Sequence, residues 1–221
     1  MNKGRHSYSE RACVICNGPM ADPKGLCRYI SESDFVIAAD GGARHLHAIN
    51  VVPDVIIGDM DSIPPNLWKG AAGIEWIHAD RDKDLTDAEL AVDLAFDRGC
   101  RQVNLLAATG GRLDHTLGNI SIVARHTGRV TIVDGDSTLA AISPETRGHV
   151  TGAVGSLISL LPYGAANITI TTQGLKYALR GQSLCHATHG LSNQVVESPA
   201  YVHVSGGVVL LYVEQGGVER P

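Results

Sequence analysis

The feature that most constrains the fold is a series of short apolar runs in the first 135 positions of this 221-residue chain. Each run is apolar throughout, which is typical of parallel strands that helices cover on both faces. Segments of helical length separate the runs, and this alternating order predicts a doubly wound, mostly parallel sheet. The predicted strands are Cys13–Cys16, Phe35–Ala39, Val55–Ile57, Ile74–Ile77, Val103–Ala107 and Val130–Val133.

One helix among these strands is marked at both of its ends. Thr86 and Glu89 have the spacing of a capping box, in which each side chain binds a backbone N–H at the start of the helix. Gly99 is typical of a residue that ends a helix. The apolar face between them is predicted to contain Ala88, Ala91, Val92, Ala95 and Phe96.

The pattern changes near residue 135, where the helical signals fade. The segment 205–208 (Ser-Gly-Gly-Val) is typical of a hairpin turn. We therefore expect an α/β domain over residues 1–135, followed by an all-β sandwich domain over residues 136–221. The strands predicted for the second domain are Leu157–Leu161, Ile168–Thr172, Tyr201–Ser205 and Val208–Val213.

Charge and hydropathy exclude several classes of protein. The formal net charge is −5, whereas binding to a nucleic-acid backbone normally requires a basic surface. The sequence contains no apolar run long enough to span a bilayer, and its first residues lack the apolar stretch of a signal peptide. These features predict a cytoplasmic protein that binds neither nucleic acid nor membrane.

Acidic, basic and glycine residues follow three of the predicted strands directly. Asp40-Gly41-Gly42 follows the second strand, the segment 58–62 (Gly-Asp-Met-Asp-Ser) follows the third, and the segment 109–115 follows the fifth. A fourth polar segment, 82–87, precedes the capped helix. Ligands of open parallel sheets bind beyond the carboxyl ends of the strands, so we expect these segments to meet at one edge.

The residue types at this edge suit phosphate chemistry. Asp59 and Asp61 lie two apart on a turn and are able to bind one Mg²⁺, which prefers carboxylate, water and phosphate oxygens. The paired glycines 41–42 and 110–111 allow backbone N–H groups to approach an anion closely. Lys83 and Arg112 supply positive charge for a phosphoryl group in transfer.

Several of these residues also have an ordinary structural interpretation. Asp40 and Asp59 fit common turns, Asp87 fits the first turn of a helix, and Asp114 fits a helix cap. Turn and cap chemistry does not explain why the acids and both basic residues gather at one sheet edge. The combination favours a metal-dependent enzyme of phosphate-group transfer.

Six short motifs carry a resemblance to a known family. They are Asp40–Ala43, Pro53–Ser62, Asp82–Asp87, Thr109–His115, Gly174–Leu179 and Leu191–Asn193. In this order they resemble the successive signature motifs of the thiamine pyrophosphokinase (thiamine diphosphokinase) family. The resemblance covers the chain from about residue 13 to residue 213.

The resemblance implies an enzyme that transfers pyrophosphate from ATP to the hydroxyethyl group of thiamine, with thiamine diphosphate and AMP as products. It also implies a homodimer with active sites at the subunit interface. The first domain would bind the nucleotide, and the second would bind thiamine and mediate dimerisation.

Matched motif by motif, the resemblance implies roles for individual residues. The metal ligands for Mg²⁺ would be Asp59, Asp61 and Asp87. The catalytic residues would be Asp61, Asp87, Arg112 and Asp114, and either Asp61 or Asp114 would accept the hydroxyl proton. Thiamine would contact Ser192 and Asn193 of the partner subunit. ATP would contact Asp40, Gly41, Gly42, Lys83, Thr109, Gly110, Gly111 and Arg112.

Two other functions stay open at this point. The chain could transfer pyrophosphate to a different alcohol, such as a hydroxymethylpterin, because related enzymes carry a similar Gly-Asp-x-Asp-Ser motif. It could also be a non-catalytic regulator that binds nucleotide or thiamine. The second-domain motifs disfavour the pterin alternative. The complete set of acids disfavours the regulator, which would be free to lose one of them.

Overall fold

A computed structural model of the chain describes residues 10–20, 23–146, 148–164, 168–184 and 188–219. It divides the chain into two compact units, Met1–Asn119 and Ile120–Pro221. The division falls within a helix, about 16 residues before the boundary expected from the sequence. Among the described residues, no helix is both long and apolar enough to cross a membrane.

The first unit is built on five parallel strands. Their order across the sheet is β5-β1-β2-β3-β4, so that β1 lies between β5 and β2. The elements of this unit are β1 (Arg11–Ile15), α1 (Leu26–Ser31), β2 (Phe35–Ala39), α2 (Ala43–Ala48), β3 (Val55–Gly58), β4 (Glu75–His78), α3 (Asp87–Asp97), β5 (Gln102–Leu106) and the start of α4 (Leu113–Arg125).

The five strands predicted for this unit are all present, with bounds that differ by at most two residues. β1, β2 and β3 are buried along almost their whole length, as expected of strands that helices cover on both faces. β4 is the exception, because it forms the edge of the sheet and its residues are mostly exposed. Its Trp76 side chain is 42% exposed. The apolar run of β4 therefore predicted a strand correctly, but it did not predict that the strand would be exposed at the sheet edge.

Helix α3 forms where the capping box predicted it. The Thr86 hydroxyl oxygen accepts a hydrogen bond of 3.3 Å from the backbone N–H of Glu89, which satisfies one of the free donors of the first turn. The predicted apolar face is buried at Ala88, Ala91, Val92 and Ala95. Small side chains on this face allow the helix to lie close to the sheet.

The second unit consists almost entirely of antiparallel strands. One set has the order β12-β9-β14-β7-β6, and a separate five-stranded sheet has the order β11-β10-β13-β8-β15. Its strands are β6 (Val130–Asp134), β7 (Ser137–Ile142), β8 (Gly148–Gly152), β9 (Leu157–Tyr163), β10 (Thr169–Gln173), β11 (Arg180–Ser183), β12 (Asn193–Gln194), β13 (Ala200–Ser205), β14 (Val208–Glu214) and β15 (Gly216–Glu219).

Strands of both sets bury their apolar side chains in one cluster, as in a sandwich. β13 shows the alternation that this requires, because Ala200, Val202 and Val204 are buried and the residues between them are exposed. The cluster also contains Ile158 and Leu160 of β9. The predicted class, an α/β domain followed by a β-sandwich, is confirmed.

The fold generates a prediction about Gly42, the residue before α2. A Cβ atom at this position would overlap the carbonyl oxygen of Ile15, so the start of α2 packs directly against β1. Gly118 of α4 is a matched control, because a Cβ atom there would meet nothing within 4 Å. We expect Gly42→Ala to lower the free energy of unfolding by about 2 kcal/mol or more.

Gly118→Ala should instead raise this free energy by about 0.5–1 kcal/mol, because alanine favours the helix interior. Urea denaturation of both variants and the parent chain measures the difference. Equal stabilities of the two variants would contradict the close packing at Gly42.

Candidate functional site

A cavity of about 460 Å³ lies in the first unit, at the carboxyl ends of its parallel strands. β1 is flanked by β2 on one side and β5 on the other. The strands β2, β3 and β4 are added on one side of β1, and β5 is added on the other side. Such a switch point leaves a crevice in which ligands of parallel sheets bind. The lining residues are Cys16, Asn17, Gly18, Ala39, Asp40, Asp59, Asp61, Ser62, Thr86, Asp87, Ala88, Ala107, Ala108, Gly110, Gly111, Arg112, His115 and Asn119.

Three carboxylates converge in this cavity. Asp40, Asp59 and Asp87 each place one carboxylate oxygen within 4.8 Å of the other two. Asp40 is the most buried of the three, with 7% of its surface exposed, and its backbone lies in the left-handed region at φ 44°. Its Oδ1 atom is buried and has no hydrogen-bond partner among the residues that the structure describes.

Gly58, at the end of β3, makes the convergence possible. Its φ of 152° lies in a region that residues with a side chain rarely adopt. A Cβ atom there would lie 2.9 Å from Cβ of Asp40 and 3.2 Å from Cγ of Asp87. A larger residue would therefore push two of the three carboxylates apart.

Lys83 partly neutralises the buried side of the cluster. Its ammonium lies 3.0 Å from Oδ1 of Asp87 and donates a hydrogen bond of 2.9 Å to the carbonyl oxygen of Asp80. The pKa of Asp87 is nevertheless raised, chiefly because burial disfavours its charged form. The ion pair with Lys83 lowers this pKa, and the neighbouring charges of Asp40 and Asp59 raise it.

Asp61 lines the cavity but does not belong to the three-carboxylate cluster. Its backbone N–H donates a hydrogen bond of 3.1 Å to Oδ1 of Asp59, and its side chain forms an ion pair with Arg81. Arg81 also lies 3.7 Å from Oδ2 of Asp59. Hydrogen bonding from Arg81 is the main reason that the pKa of Asp61 is lowered. The predicted metal set contained Asp61, whereas the residue that completes the observed cluster is Asp40.

The segment after β5 forms the opposite wall of the cavity. Ala107 lies in the left-handed region at φ 50°, and Gly110 and Gly111 follow with φ values of 74° and 61°. The Arg112 guanidinium binds both carboxylate oxygens of Asp114, at 3.1 and 2.6 Å. This contact lowers the pKa of Asp114 to about 2, so the carboxylate is charged at neutral pH.

The structure brings most of the predicted site residues of the first unit into one cavity. Seven of them line it, namely Asp40, Asp59, Asp61, Asp87, Gly110, Gly111 and Arg112. Four others adjoin the lining residues in sequence or through side-chain contacts, namely Gly41, Lys83, Thr109 and Asp114, and Gly42 lies two residues after Asp40. Gly41 and Gly42 pack against β1 and the residues that follow it, because a Cβ atom on either would overlap Asn17 or Ile15.

Several lining residues were missed from the sequence. Asn17 follows β1, and its Oδ1 accepts a hydrogen bond of 2.6 Å from Arg44. The buried Asn119 carboxamide donates a hydrogen bond of 2.7 Å to the carbonyl oxygen of Ala108 and so fixes the loop after β5. The position of Asn17 directly after a buried strand was a usable signal. Asn119 gave no signal, since it lies inside a helix.

The cluster has the chemistry of a site for a hard divalent cation. Mg²⁺ binds carboxylate oxygens and retains several water ligands, which requires few protein groups and open space beside them. Asp40, Asp59 and Asp87 supply the oxygens, and the cavity supplies the space. The buried Oδ1 of Asp40 fits such an ion, because a buried carboxylate oxygen without a partner is otherwise unfavourable.

In the second unit, Ser192 and Asn193 have different surroundings. Asn193 is 5% exposed, and its carboxamide oxygen accepts hydrogen bonds from the backbone N–H groups of Tyr177 and Gln194, at 3.0 and 2.8 Å. Its amide nitrogen donates a hydrogen bond of 2.8 Å to the carbonyl oxygen of Tyr177. Ser192 is exposed and lies in the left-handed region at φ 57°. The Asn193 side chain is therefore hydrogen-bonded to the backbone of Tyr177 and Gln194. A contact of either Ser192 or Asn193 with thiamine stays a prediction.

Comparison with known proteins agrees with this arrangement. The family model "Thiamin pyrophosphokinase, catalytic domain" matches residues 26–133, and "Thiamin pyrophosphokinase, vitamin B1 binding domain" matches residues 145–209. The chain is 31% identical to thiamine pyrophosphokinase 1 of Oryza sativa, over 73% of this chain and 71% of that protein. It is 26% identical to the thiamine pyrophosphokinase of Bacillus subtilis, over 90% and 95%.

A solved structure extends the likeness to the fold. The thiamin pyrophosphokinase of Geobacillus thermodenitrificans superposes with a TM-score of 0.81 and 25% identity, over 92% of this chain and 97% of that one. Both matching family models lie in the order that the sequence motifs predicted. The chain belongs to the thiamin pyrophosphokinase family.

Proposed function

We propose that this chain is a Mg²⁺-dependent thiamine pyrophosphokinase. It transfers the pyrophosphoryl group of ATP to the hydroxyethyl group of thiamine, and thiamine diphosphate and AMP are the products. The observation that carries the proposal is the convergence of Asp40, Asp59 and Asp87 in a cavity at the carboxyl ends of parallel strands. Membership of the family supports thiamine as the acceptor.

The reaction exchanges one bond to phosphorus for another. The thiamine hydroxyl oxygen bonds to the β-phosphorus of ATP, the bond from the β-phosphorus to the oxygen bridging to the α-phosphorus breaks, and AMP leaves with that oxygen. The hydroxyl proton passes to a carboxylate or to water. Such transfers depend mainly on positioning and on neutralising charge. The protein therefore needs to hold two substrates in line and to supply positive charge.

The residues of the cavity divide these tasks. A bound Mg²⁺ would supply charge neutralisation on the phosphate oxygens. Asp40, Asp59 and Asp87 would hold this ion, while Lys83 and Arg112 would bind the triphosphate. Asp61 lines the cavity and Asp114 does not, so Asp61 is better placed to contact a ligand. The arginine partner of each carboxylate lowers its pKa, so each is a weak base until that contact is released.

The second unit would supply the thiamine site and the dimer contact. Leu157, Leu191 and Val196 expose apolar side chains on and near β9 and β12, which fits a surface that a second copy of the chain covers. Tyr177 is 61% exposed and offers an aromatic ring for a thiamine ring to stack on. The homodimer, the interface location of the active sites and the cytoplasmic location remain predictions.

The activity is tested with the purified full chain, ATP, Mg²⁺ and thiamine. We expect AMP and thiamine diphosphate to form in equal amounts, and EDTA to stop the reaction, because the phosphate charge is then not neutralised. Chromatographic separation of the nucleotides and thiamine esters measures both products. A hydroxymethylpterin is the control acceptor. AMP formed only with the pterin would overturn thiamine as the substrate, and no AMP with either acceptor would overturn enzymatic activity.

Replacing the cluster acids tests the metal site. We expect Asp59→Asn and Asp40→Asn each to lower kcat/KM by about a hundredfold or more, since even loss of a residue behind a metal ligand lowers affinity or activity 10–100-fold. Asp97→Asn is the matched control, because Asp97 lies at the exposed end of α3 and does not line the cavity. Far-ultraviolet circular dichroism should show the same fold for all three variants. Near-normal turnover of Asp59→Asn would remove this residue from the metal site.

Asn193 generates a separate prediction for the second unit. We expect Asn193→Ala to lower the free energy of unfolding by about 1–3 kcal/mol, because it removes the two hydrogen bonds between the Asn193 carboxamide and the backbone of Tyr177. Ser192→Ala is the control and should change stability by less than about 0.5 kcal/mol. Thermal unfolding and the KM for thiamine are measured on both variants. Unchanged stability of Asn193→Ala with a raised KM would assign Asn193 to thiamine and not to the backbone.

A further inference from the structure

Arg81 is a basic residue near the cavity that lies outside the six motifs of the family resemblance. It lies three residues after the end of β4, in the loop that leads to α3. Its guanidinium forms an ion pair with Asp61 and lies 3.7 Å from Oδ2 of Asp59. The side chain is nevertheless 75% exposed. Arg81 therefore reaches two acids of the cavity from the solvent side without being packed in place.

The charged groups around Arg81 carry a net negative charge in the absence of a ligand. Four carboxylates, those of Asp40, Asp59, Asp61 and Asp87, face two cations, Arg81 and Lys83. Four negative charges against two positive ones leave two negative charges, which one divalent ion neutralises. A nucleotide triphosphate adds further negative charge, and additional cations are then required near the phosphates.

We propose that Arg81 exchanges partners during ligand binding. In the metal-free chain it neutralises Asp59 and Asp61, and when a divalent cation occupies the carboxylates it turns to the phosphate oxygens of the nucleotide. Arg81 is therefore both a competitor of the metal and a ligand of the metal–nucleotide complex. The proposal rests on the metal–nucleotide function proposed above for the same cavity.

The contacts of Arg81 suit such an exchange. Arg81 and a metal ion would compete for the carboxylate of Asp59, since a carboxylate that coordinates a divalent ion has less negative charge to offer a guanidinium. An exposed ion pair contributes little free energy, so it breaks easily. The freed guanidinium has a planar fork of donors that matches a phosphate group. The ammonium of Lys83, two residues along the same loop, already lies 3.0 Å from Asp87 at the other side of the cluster.

The exchange predicts opposite effects of Arg81→Gln on two binding reactions. Mn²⁺ alone should bind the variant about two- to fivefold more tightly, because no exposed ion pair has to be broken. The complex of Mn²⁺ with α,β-methylene-ATP should bind about tenfold or more weakly, because a charge-assisted hydrogen bond to phosphate is lost. Electron paramagnetic resonance of free Mn²⁺ measures the first affinity, and isothermal titration calorimetry measures the second.

Arg98→Gln is the matched control for both measurements. Arg98 forms an ion pair of 2.7 Å with Glu75, outside the cavity lining, so the same substitution there should leave both affinities unchanged. Arg81→Lys keeps the positive charge but not the planar fork, so its Mn²⁺ affinity should resemble that of the parent chain. Its affinity for the nucleotide complex should lie between those of the parent chain and Arg81→Gln.

Either half of the result is able to overturn the exchange. Unchanged or weaker Mn²⁺ binding by Arg81→Gln would show that Arg81 does not compete for the carboxylates. Unchanged binding of the nucleotide complex would show that Arg81 does not reach the phosphates. Neither measurement uses thiamine. Failure of the parent chain to form thiamine diphosphate would therefore overturn the proposed function and leave the test of Arg81 intact.

Discussion

The electrostatic repulsion among Asp40, Asp59 and Asp87 is the constraint on which the site depends. Their nearest oxygens lie within 4.8 Å, and two like charges at that distance repel by about 3 kcal/mol at an effective dielectric constant of about 20. Free side chains would separate to avoid this repulsion. The three carboxylates stay together because rigid elements of the parallel sheet and α3 hold their backbones. A site that concentrates negative charge in this way is prepared for a cation.

The register of the parallel sheet explains how the backbone achieves this. Ala39 of β2 pairs with Ile57 of β3, so the next residues, Asp40 and Gly58, lie side by side at the carboxyl ends of the two strands. The left-handed conformation of Asp40 occurs at the end of a buried strand, where packing of the strand holds it. Asp87 enters from the first turn of α3, whose start is fixed by the Thr86 cap. The hydrophobic contacts of β2, β3 and α3 thereby offset the repulsion of the cluster.

The sequence predicted the sheet edge but not the orientation of every side chain there. Parallel strands bring their carboxyl ends to one edge in any register, so the proximity of Asp40 and Asp59 followed from the strand pattern, whereas Asp87 reaches them from the start of α3. Which acid of the segment 58–62 faces the cluster depended on a turn. Met60, at φ 66°, lies between Asp59 in the cluster and Asp61 against Arg81. No periodicity in the sequence reports such a turn.

The missed strands and residues have related causes. β8 and β11, which were not predicted, consist mostly of glycine and polar residues, so their apolar pattern is too weak to predict a strand. β4 was predicted correctly as a strand, but its exposure was not predicted. The exposure results from the position of β4 at the edge of the sheet, and a strand pattern does not specify the order of strands in a sheet. Arg81 lies in a run of alternating acids and bases, where charge alone does not identify the base that pairs with Asp59 and Asp61.

Two of the motifs that carry the family resemblance have different surroundings in the structure. In the first unit, the acids of the segment 58–62 leave oxygen atoms facing an open cavity, so these residues are available to a ligand. In the second unit, the Asn193 carboxamide is occupied by both backbone groups of Tyr177, whose ring is exposed. The Asn193 carboxamide therefore positions the backbone of Tyr177, and a direct contact of Asn193 with thiamine stays a prediction. The same family resemblance thus selects two kinds of residue, acids that line an open cavity and an amide that binds neighbouring backbone, and the hydrogen bonds of the structure distinguish the two kinds.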